Sequence, residues 1–269
     1  MYRVGLFLVV VAFAAAVIGP AVLPFDVSSQ ALALRLAPPS ASHLFGLDEL
    51  GRDILVRVLA GARISFLVGL TVVSVSAVIG TLLGSVAGYF GGWVDDVISR
   101  VIDVLLAFPG LLLAIALVAM LGPSLLNVLF ALTVIGWVSY ARLVRGQVLR
   151  AREFEYVQAA RALGAGTPRV LWRHVIPTAV PAIVVQATLG MAGAIIGEAS
   201  LSFLGLGVQP PTPSWGTMLS GGRAHILDAP HLTIFPGIAI ALLVLGLNFL
   251  GDGLRDRLDP KTQKAGVRV

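Results

Sequence analysis

Six long apolar stretches dominate the chain. They run from Val4 to about Leu23, Ile64 to about Tyr89, Val101 to Leu121, Leu125 to about Ala141, Ala179 to Leu204 and Leu232 to Leu250. Each holds about 17–26 residues, enough for a helix rising about 1.5 Å per residue to cross a hydrocarbon core of roughly 30 Å. A membrane-spanning strand would need only about 10 residues of alternating polarity, so the pattern predicts helices and argues against a barrel. The first run follows Arg3 and has small residues near Ala14 to Ala16, as a cleaved secretion signal does. Its apolar stretch of about 20 residues is longer than a typical signal core, so it is expected to remain as a transmembrane helix. The pattern assigns residues 1–24 to the first helix, 25–63 to an extracytoplasmic loop, 64–250 to a core of five more helices and 251–269 to a cytoplasmic tail. The expected fold class is an all-α membrane protein with about six transmembrane helices.

Composition strengthens this picture. Hydrophobic residues make up 57% of the 269 and charged residues only 12%, against about 25% charged in a soluble domain. The net charge of +5 comes mainly from Arg between the apolar runs; the two Lys, Lys261 and Lys264, are in the tail. Membrane topology explains these cations better than nucleic acid does, so lipid rather than nucleic acid is the expected surface partner. With both termini cytoplasmic, fourteen Arg and Lys fall inside and five outside, the sense that the positive-inside bias requires. Arg35, Arg52, Arg57 and Arg63 run against it, and Asp48, Glu49 and Asp53 offset them in part. The absence of Cys excludes disulfides, Cys-ligated zinc, Fe–S clusters and thiol catalysis.

The segment between the fourth and fifth runs is the most informative. From Arg152 it reads REFEYVQAARALGAGTPRVLWRHVIPTAVP. Glu155 to Leu163 is rich in helix formers, and Gly164 suits the left-handed position after a helix. Thr167 can cap a second short helix with Pro168 at its first position, running from Arg169 to about His174 and stopping before Pro177. A helix, a Gly hinge and a second helix can make a docking knob, or simply an Arg-rich loop that sets topology.

This segment resembles the EAA loop of ABC importer permeases, whose pattern is Glu-Ala-Ala, three residues, Gly, nine residues, then Ile-x-Leu-Pro. Ala159, Ala160, Gly164 and Pro177 match it; Gln158 replaces Glu, His174 replaces Ile and Ile176 replaces Leu. Glu155 is out of register for the missing acid, so an ion pair at position 158 is not expected. The stretches His43 to Leu70, Gly197 to Leu219 and Phe235 to Pro260 resemble permeases of the peptide and nickel subfamily, in the order of the second permease, the dipeptide-permease C type. The resemblance implies a type I ABC importer permease fold in the bacterial inner membrane, with an EAA coupling loop over 150–177. It implies that Glu155, Gln158, Ala159, Ala160, Gly164, Arg169 and Pro177 dock an ATPase. It also implies four kinds of partner: a homologous B-type permease, two ATPase subunits, an extracytoplasmic substrate-binding protein and lipid. The expected cargo is di- or oligopeptides, with nickel or glutathione as alternatives. The chain has no GxxxxGK[ST] phosphate loop, so it is not expected to be an enzyme or to bind a cofactor; ATP and Mg belong to the partners.

Glu198 is the one acid well inside an apolar run. Such a residue is a functional candidate; with Ser200 and Ser202 beside it, it serves either as a structural hydrogen-bonding group or as a pore contact. Asp95, Asp96 and Asp103 are expected to be solvated or paired with Arg100, and Asp252, Arg255, Asp256 and Arg257 to cluster at the membrane edge. Asp48, Arg52 and Asp53 suggest a surface salt-bridge knot, worth about 0–1 kcal/mol per pair. His43, His174, His225 and His231 are scattered, so no metal site is expected. Gly80, Gly84 and Gly88, and likewise Gly193 and Gly197, have the four-residue spacing of close helix crossings. An ion-coupled transporter would need several midplane polar groups. A membrane enzyme would need a clustered catalytic set, and neither pattern is present.

Overall fold

The computed structural model describes residues 1–22 and 26–258; the expected cations Lys261, Lys264 and Arg268 lie outside the described residues. The helices are α1 (Tyr2–Val22), α2 (Ile54–Phe90), α3 (Gly92–Leu106), α4 (Gly110–Leu121), α5 (Leu125–Ala151), α6 (Glu155–Ala162), α7 (Thr167–Val170), α8 (Ile176–Phe203), α9 (Trp215–Gly222) and α10 (His231–Leu258). Among the described residues the only strand-like pairing is one bridge between Leu47 and Asp53. Five helices are long and apolar enough to cross a membrane, or six when α3 and α4 count as one bent span.

The centre of the bundle is the crossing of α2 and α5. A Cβ on Gly80 would lie 2.5 Å from Tyr140 Cβ and 2.6 Å from the Trp137 carbonyl, and one on Gly88 would lie 2.8 Å from the Arg145 carbonyl. Gly84 abuts the Ala141 backbone in the same way. Three small residues one turn apart thus let two backbones touch, which in lipid substitutes for the missing hydrophobic drive between helices. α10 packs on α1 by the same device: Gly246 faces Leu8, and Gly5 faces the backbone of Leu250. The Gly193–Gly197 pair behaves differently. A Cβ on Gly197 would meet Leu132 at 2.9 Å, whereas none of the described atoms lies within 4 Å of one on Gly193.

Several boundaries move: α5 continues to Ala151 and α10 to Leu258, and two other changes have a local cause. α2 begins at Ile54, ten residues before its apolar run. Asp53 caps it by accepting from Val56 N–H at 3.1 Å, and Ile54, Val58 and Ala62 join Trp215, Met218 and Leu232 in a core cluster. The Arg residues of this stretch conceal a buried face. The third run is not one straight helix either: α3 and α4 meet at 85°. Pro109 is the N-cap of α4; it has no N–H to continue α3 and disfavours helical geometry at Phe108. α3 carries the charges and lies against the loop end of α5. Asp95 takes a two-pronged bond from Arg145 at 2.5 and 2.6 Å, and Asp103 accepts from Arg142 at 2.9 Å. These partners, and not Arg100, hold Asp95 and Asp103. α4 is free of charge and packs Ala114 and Val118 on Val128, Ala131 and Leu201.

Residues 26–53, the 205–214 turn and α9 close the end of the bundle opposite the 152–175 segment. Trp215 Nε1 donates to the Val58 carbonyl at 2.8 Å, tying α9 to α2. The expected knot is here, but it is buried and its membership differs: Asp48 and Arg52 are 5% and 8% exposed and bond at 2.7 Å. Asp53 instead caps α2 and meets His43 Nδ1 at 2.8 Å. The upper end of α1 depends on a distant cation. Residue 20 is Pro, which has no N–H for the carbonyl of Ala16 four residues back. Arg63 supplies the donor, with Nε 2.7 Å from the Ala16 carbonyl and Nη2 3.1 Å from that of Val17.

Candidate functional site

The segment after α5 folds as a compact knob. α6 ends in a Schellman arrangement: Ala165 N–H donates to the Ala160 carbonyl at 3.0 Å and Gly164 N–H to that of Arg161 at 2.9 Å. This requires the left-handed conformation at position 164, and Gly164 has φ +85°. Val157, Val170, Leu171 and Val175 fold back onto Val144, Val148 and Ala151 of α5, so the knob is anchored from inside. Two cations anchor it from outside: the Arg161 guanidinium sits 4.7 Å over the Tyr89 ring, and Arg152 Nη1 donates to the Gly88 carbonyl at 3.3 Å. Both contacts reach the end of α2.

The second short helix departs from its expected form. Its N-cap is Gly166 rather than Thr167, with no side-chain cap. It also does not stop before Pro177. Residues Leu171–Val175 form a π turn that runs straight into α8, with Ile176 N–H bonding the Leu171 carbonyl five residues back. The wider turn lets the chain pass Pro177, whose missing N–H would break an α-helical ladder at this point. α7, the π turn and α8 therefore form one continuous rod, Thr167–Phe203.

Of the sequence-selected residues, Glu155, Gln158, Ala159, Gly164, Arg169 and Pro177 are exposed and Ala160 is half-buried. They share one end of the bundle. Gln158 donates to the Glu153 carbonyl at 3.2 Å and so stays on its own loop. Sequence reading passed over the exposed apolar groups of the same surface: Leu163 is 89% and Trp172 61% exposed, beside Phe154 and Tyr156. An apolar residue at the last position of a charged helix was the available signal.

A cavity of about 370 Å³ lies between α2, α4, α5 and α8, lined mainly by apolar groups and glycines. Its polar wall is uncharged: Ser76, Ser139, Tyr140, Gln186 and Ser200. Gly190, Gly193 and Gly197 open it on the α8 side. Glu198 does not line it. That acid is fully buried on the other face of α8, where its Oε1 accepts from Ser202 Oγ at 2.6 Å and Ser202 Oγ accepts from Val208 N–H at 3.3 Å. Through Ser202, Glu198 is thus linked to the turn after α8, while its Oε2 has no hydrogen-bond partner among the described residues.

Known proteins share this arrangement. Residues 80–264 match the model of the binding-protein-dependent transport system inner membrane component. The chain is 51% identical over 227 residues to the dipeptide transport system permease protein DppC of Alkalihalophilus pseudofirmus, covering 84% of this chain and 75% of that one. The DppC protein of Bacillus subtilis is 46% identical over 261 residues, covering 97% and 82%. The glutathione transport system permease protein GsiD of Pectobacterium atrosepticum is 51% identical over 223 residues, covering 83% and 74%. Among solved structures, the MetNI methionine ABC transporter in an inward-facing form superposes with a TM-score of 0.55 at 18% identity, covering 75% of this chain and 94% of that one. The chain is a multi-pass membrane permease with the type I ABC importer fold, and it belongs to the family of binding-protein-dependent transport system inner membrane components.

Proposed function

We propose that this chain is one half of the translocation pathway of an ATP-driven importer whose cargo is a short peptide. The observation that carries this reading is the continuous rod Thr167–Phe203. Its first turns belong to the exposed knob, and its middle lines the cavity through Gln186, Gly190, Gly193, Ile196, Gly197 and Ser200. A partner ATPase that shifts the knob therefore moves the cavity wall directly, and the Arg161–Tyr89 and Arg152–Gly88 contacts carry the same shift to α2. The π turn at Leu171–Val175 is the place where such a rod can flex.

In this reading ATP and Mg belong to two ATPase subunits docked on Glu155, Gln158, Ala159, Ala160, Gly164, Arg169 and Pro177, with Leu163 and Trp172 as added apolar contacts. A second, homologous permease closes the other side of the cavity. An extracytoplasmic binding protein delivers cargo at the opposite end, and both termini are cytoplasmic. The names of the relatives, dipeptide and glutathione permeases, support a peptide cargo. So does the cavity chemistry. Hydroxyl and amide groups can bond a peptide backbone, and a wall without charge discriminates little among side chains.

The test is reconstitution of the chain with its co-encoded subunits in proteoliposomes, followed by uptake of L-alanyl-L-alanine. Uptake is expected only with internal ATP, ATPase subunits and binding protein together, and glutathione or a nickel chelate as competitor identifies the cargo class. Uptake by the chain alone, driven by a proton or sodium gradient, would overturn the reading.

A further inference from the structure

The end of the bundle opposite the knob holds a second, more polar cavity of about 300 Å³, lined among others by Asp48, Glu49, Arg52, Arg57, Gln209 and Thr212. Its charges do not pair evenly. Asp48 Oδ1 accepts from Leu50 N–H and Arg52 N–H at 2.9 Å each, and its Oδ2 accepts from Arg52 Nε at 2.7 Å. Glu49 Oε1 accepts from Arg52 Nη2 at 3.1 Å. Arg52 thus engages both carboxylates. Arg57, only 6% exposed, is ion-paired through Nε with Asp48 Oδ2 at 3.4 Å, but its buried Nε and Nη1 make no hydrogen bond among the described residues.

A guanidinium keeps its charge under all ordinary conditions and presents a planar fork of donors matched to a carboxylate. Burying such donors unsatisfied is costly, so the site is built for an acceptor that arrives from elsewhere. The cavity volume falls at the lower limit of small-ligand sites, about 300–1,000 Å³, which suits a short peptide and not a protein segment. Thr212 and Ser220 stand around it and can bond a peptide amide. Every linear peptide carries one terminal carboxylate whatever its side chains, so a receptor for that group accepts many sequences.

Building on the peptide-import reading above, we propose that Arg57 in this cavity receives the C-terminal carboxylate of the incoming peptide before it passes to the membrane cavity. Arg57 has donors left without hydrogen bonds, Arg52 takes the hydrogen bonds of both neighbouring carboxylates, and the cavity beside them is of peptide size.

The experiment compares L-alanyl-L-alanine with its C-terminal amide, using the full reconstituted complex. Replacing Arg57 by Gln is expected to raise KM for the free acid about tenfold or more, the loss of a charge-assisted bond, and to leave KM for the amide unchanged. Arg57→Lys, which keeps the charge without the fork, is expected to fall between. An equal change for both compounds, or none for either, overturns the proposal. So does a weakened affinity for the binding protein with both KM values intact, which would assign the cation to a protein carboxylate. A second measurement does not depend on how the variants fold. In saturation-transfer NMR the wild-type chain in nanodiscs is expected to bind dialanine and not its amide; equal binding of both, or of neither, overturns the site. If the wild-type complex takes up no peptide, the import reading falls, and the saturation-transfer NMR comparison alone judges the carboxylate site.

Discussion

Gly164 allows the proposed docking role to be tested through the backbone alone. Its φ of +85° lies in the left-handed region, and a Cβ built there would meet none of the described atoms within 4 Å. A Cβ at 164 therefore clashes with none of the described atoms, and its intramolecular cost is conformational. For an ordinary L-residue that cost is about 1–2 kcal/mol, a factor of roughly 5–30 in the folded-to-unfolded ratio of the knob. Asn tolerates the left-handed region and costs less; Val, being β-branched, costs more. The expected order of ATPase affinity is Gly164 and Gly164→Asn together, then Gly164→Ala, weaker by up to about 5–30-fold, then Gly164→Val. Biolayer interferometry of purified ATPase on nanodisc-embedded chain gives the affinities. Hydrogen exchange at Ala165, which donates to the Ala160 carbonyl, reports the knob itself. An Asn variant as damaging as Val would refute the reasoning, because the partner would then be reading the bare surface at 164 and not the turn.

Deleting 155–173 is expected to abolish ATPase co-purification while the membrane helices still insert; normal association after the deletion would refute the docking role. Gly84→Leu forces a side chain into the Ala141 backbone and is expected to destabilise by at least the 1–3 kcal/mol typical of overpacking, seen as lost monodisperse protein on size exclusion. Gly193→Leu meets open space and lines the membrane cavity, so peptide uptake is expected to fall with little change in thermal unfolding. Arg63→Ala removes the donor to Ala16 and Val17 and is expected to cost about 1–3 kcal/mol, read as faster exchange over residues 12–19. Asp95→Asn is expected to cost about 1 kcal/mol or less, because Arg145 is partly exposed, and exchanging the two charges should restore the unfolding temperature.

Much of the fold was legible because lipid imposes one simple rule, that apolar runs of sufficient length become helices. The rule worked where a helix is apolar all round, as in α1; α5 runs about ten residues past its apolar stretch because its last turns carry Arg142, Arg145 and Arg150. It failed where one helix has two environments. The first ten residues of α2 carry Arg57 and Arg63 and read as loop, yet their other face packs Ile54, Val58 and Ala62 against Trp215 and Leu232. Asp53 was visible in the sequence but read there as a member of a salt-bridge knot, and not as the cap that marks the start of α2. Pro109 was visible too, but an apolar run gives no reason to expect an 85° turn until the charges of α3 are seen bonding Arg142 and Arg145. Around the knob, the Gly164 turn was readable because a left-handed residue has a local signature. The π turn has none, since it answers to Pro177 and to the packing of Leu171 and Val175 against α5.

The two charged groups at the ends of α2 and α8 show why sequence position alone is a poor guide to a transport site. Glu198 stood out as the acid inside an apolar run, yet Ser202 holds it beneath the turn at Val208, away from the membrane cavity. Arg57 stood out only as an exception to the charge bias, yet it borders a cavity and its nearest carboxylates are already engaged by Arg52. The cost of a buried charge depends on whether its bonds are filled, which a sequence does not state. A permease that must bind its cargo briefly and release it benefits from a group left unsatisfied at rest. The cargo then supplies what the resting site lacks, and the next step, in a neutral cavity lined by Ser and Gln, holds it less tightly.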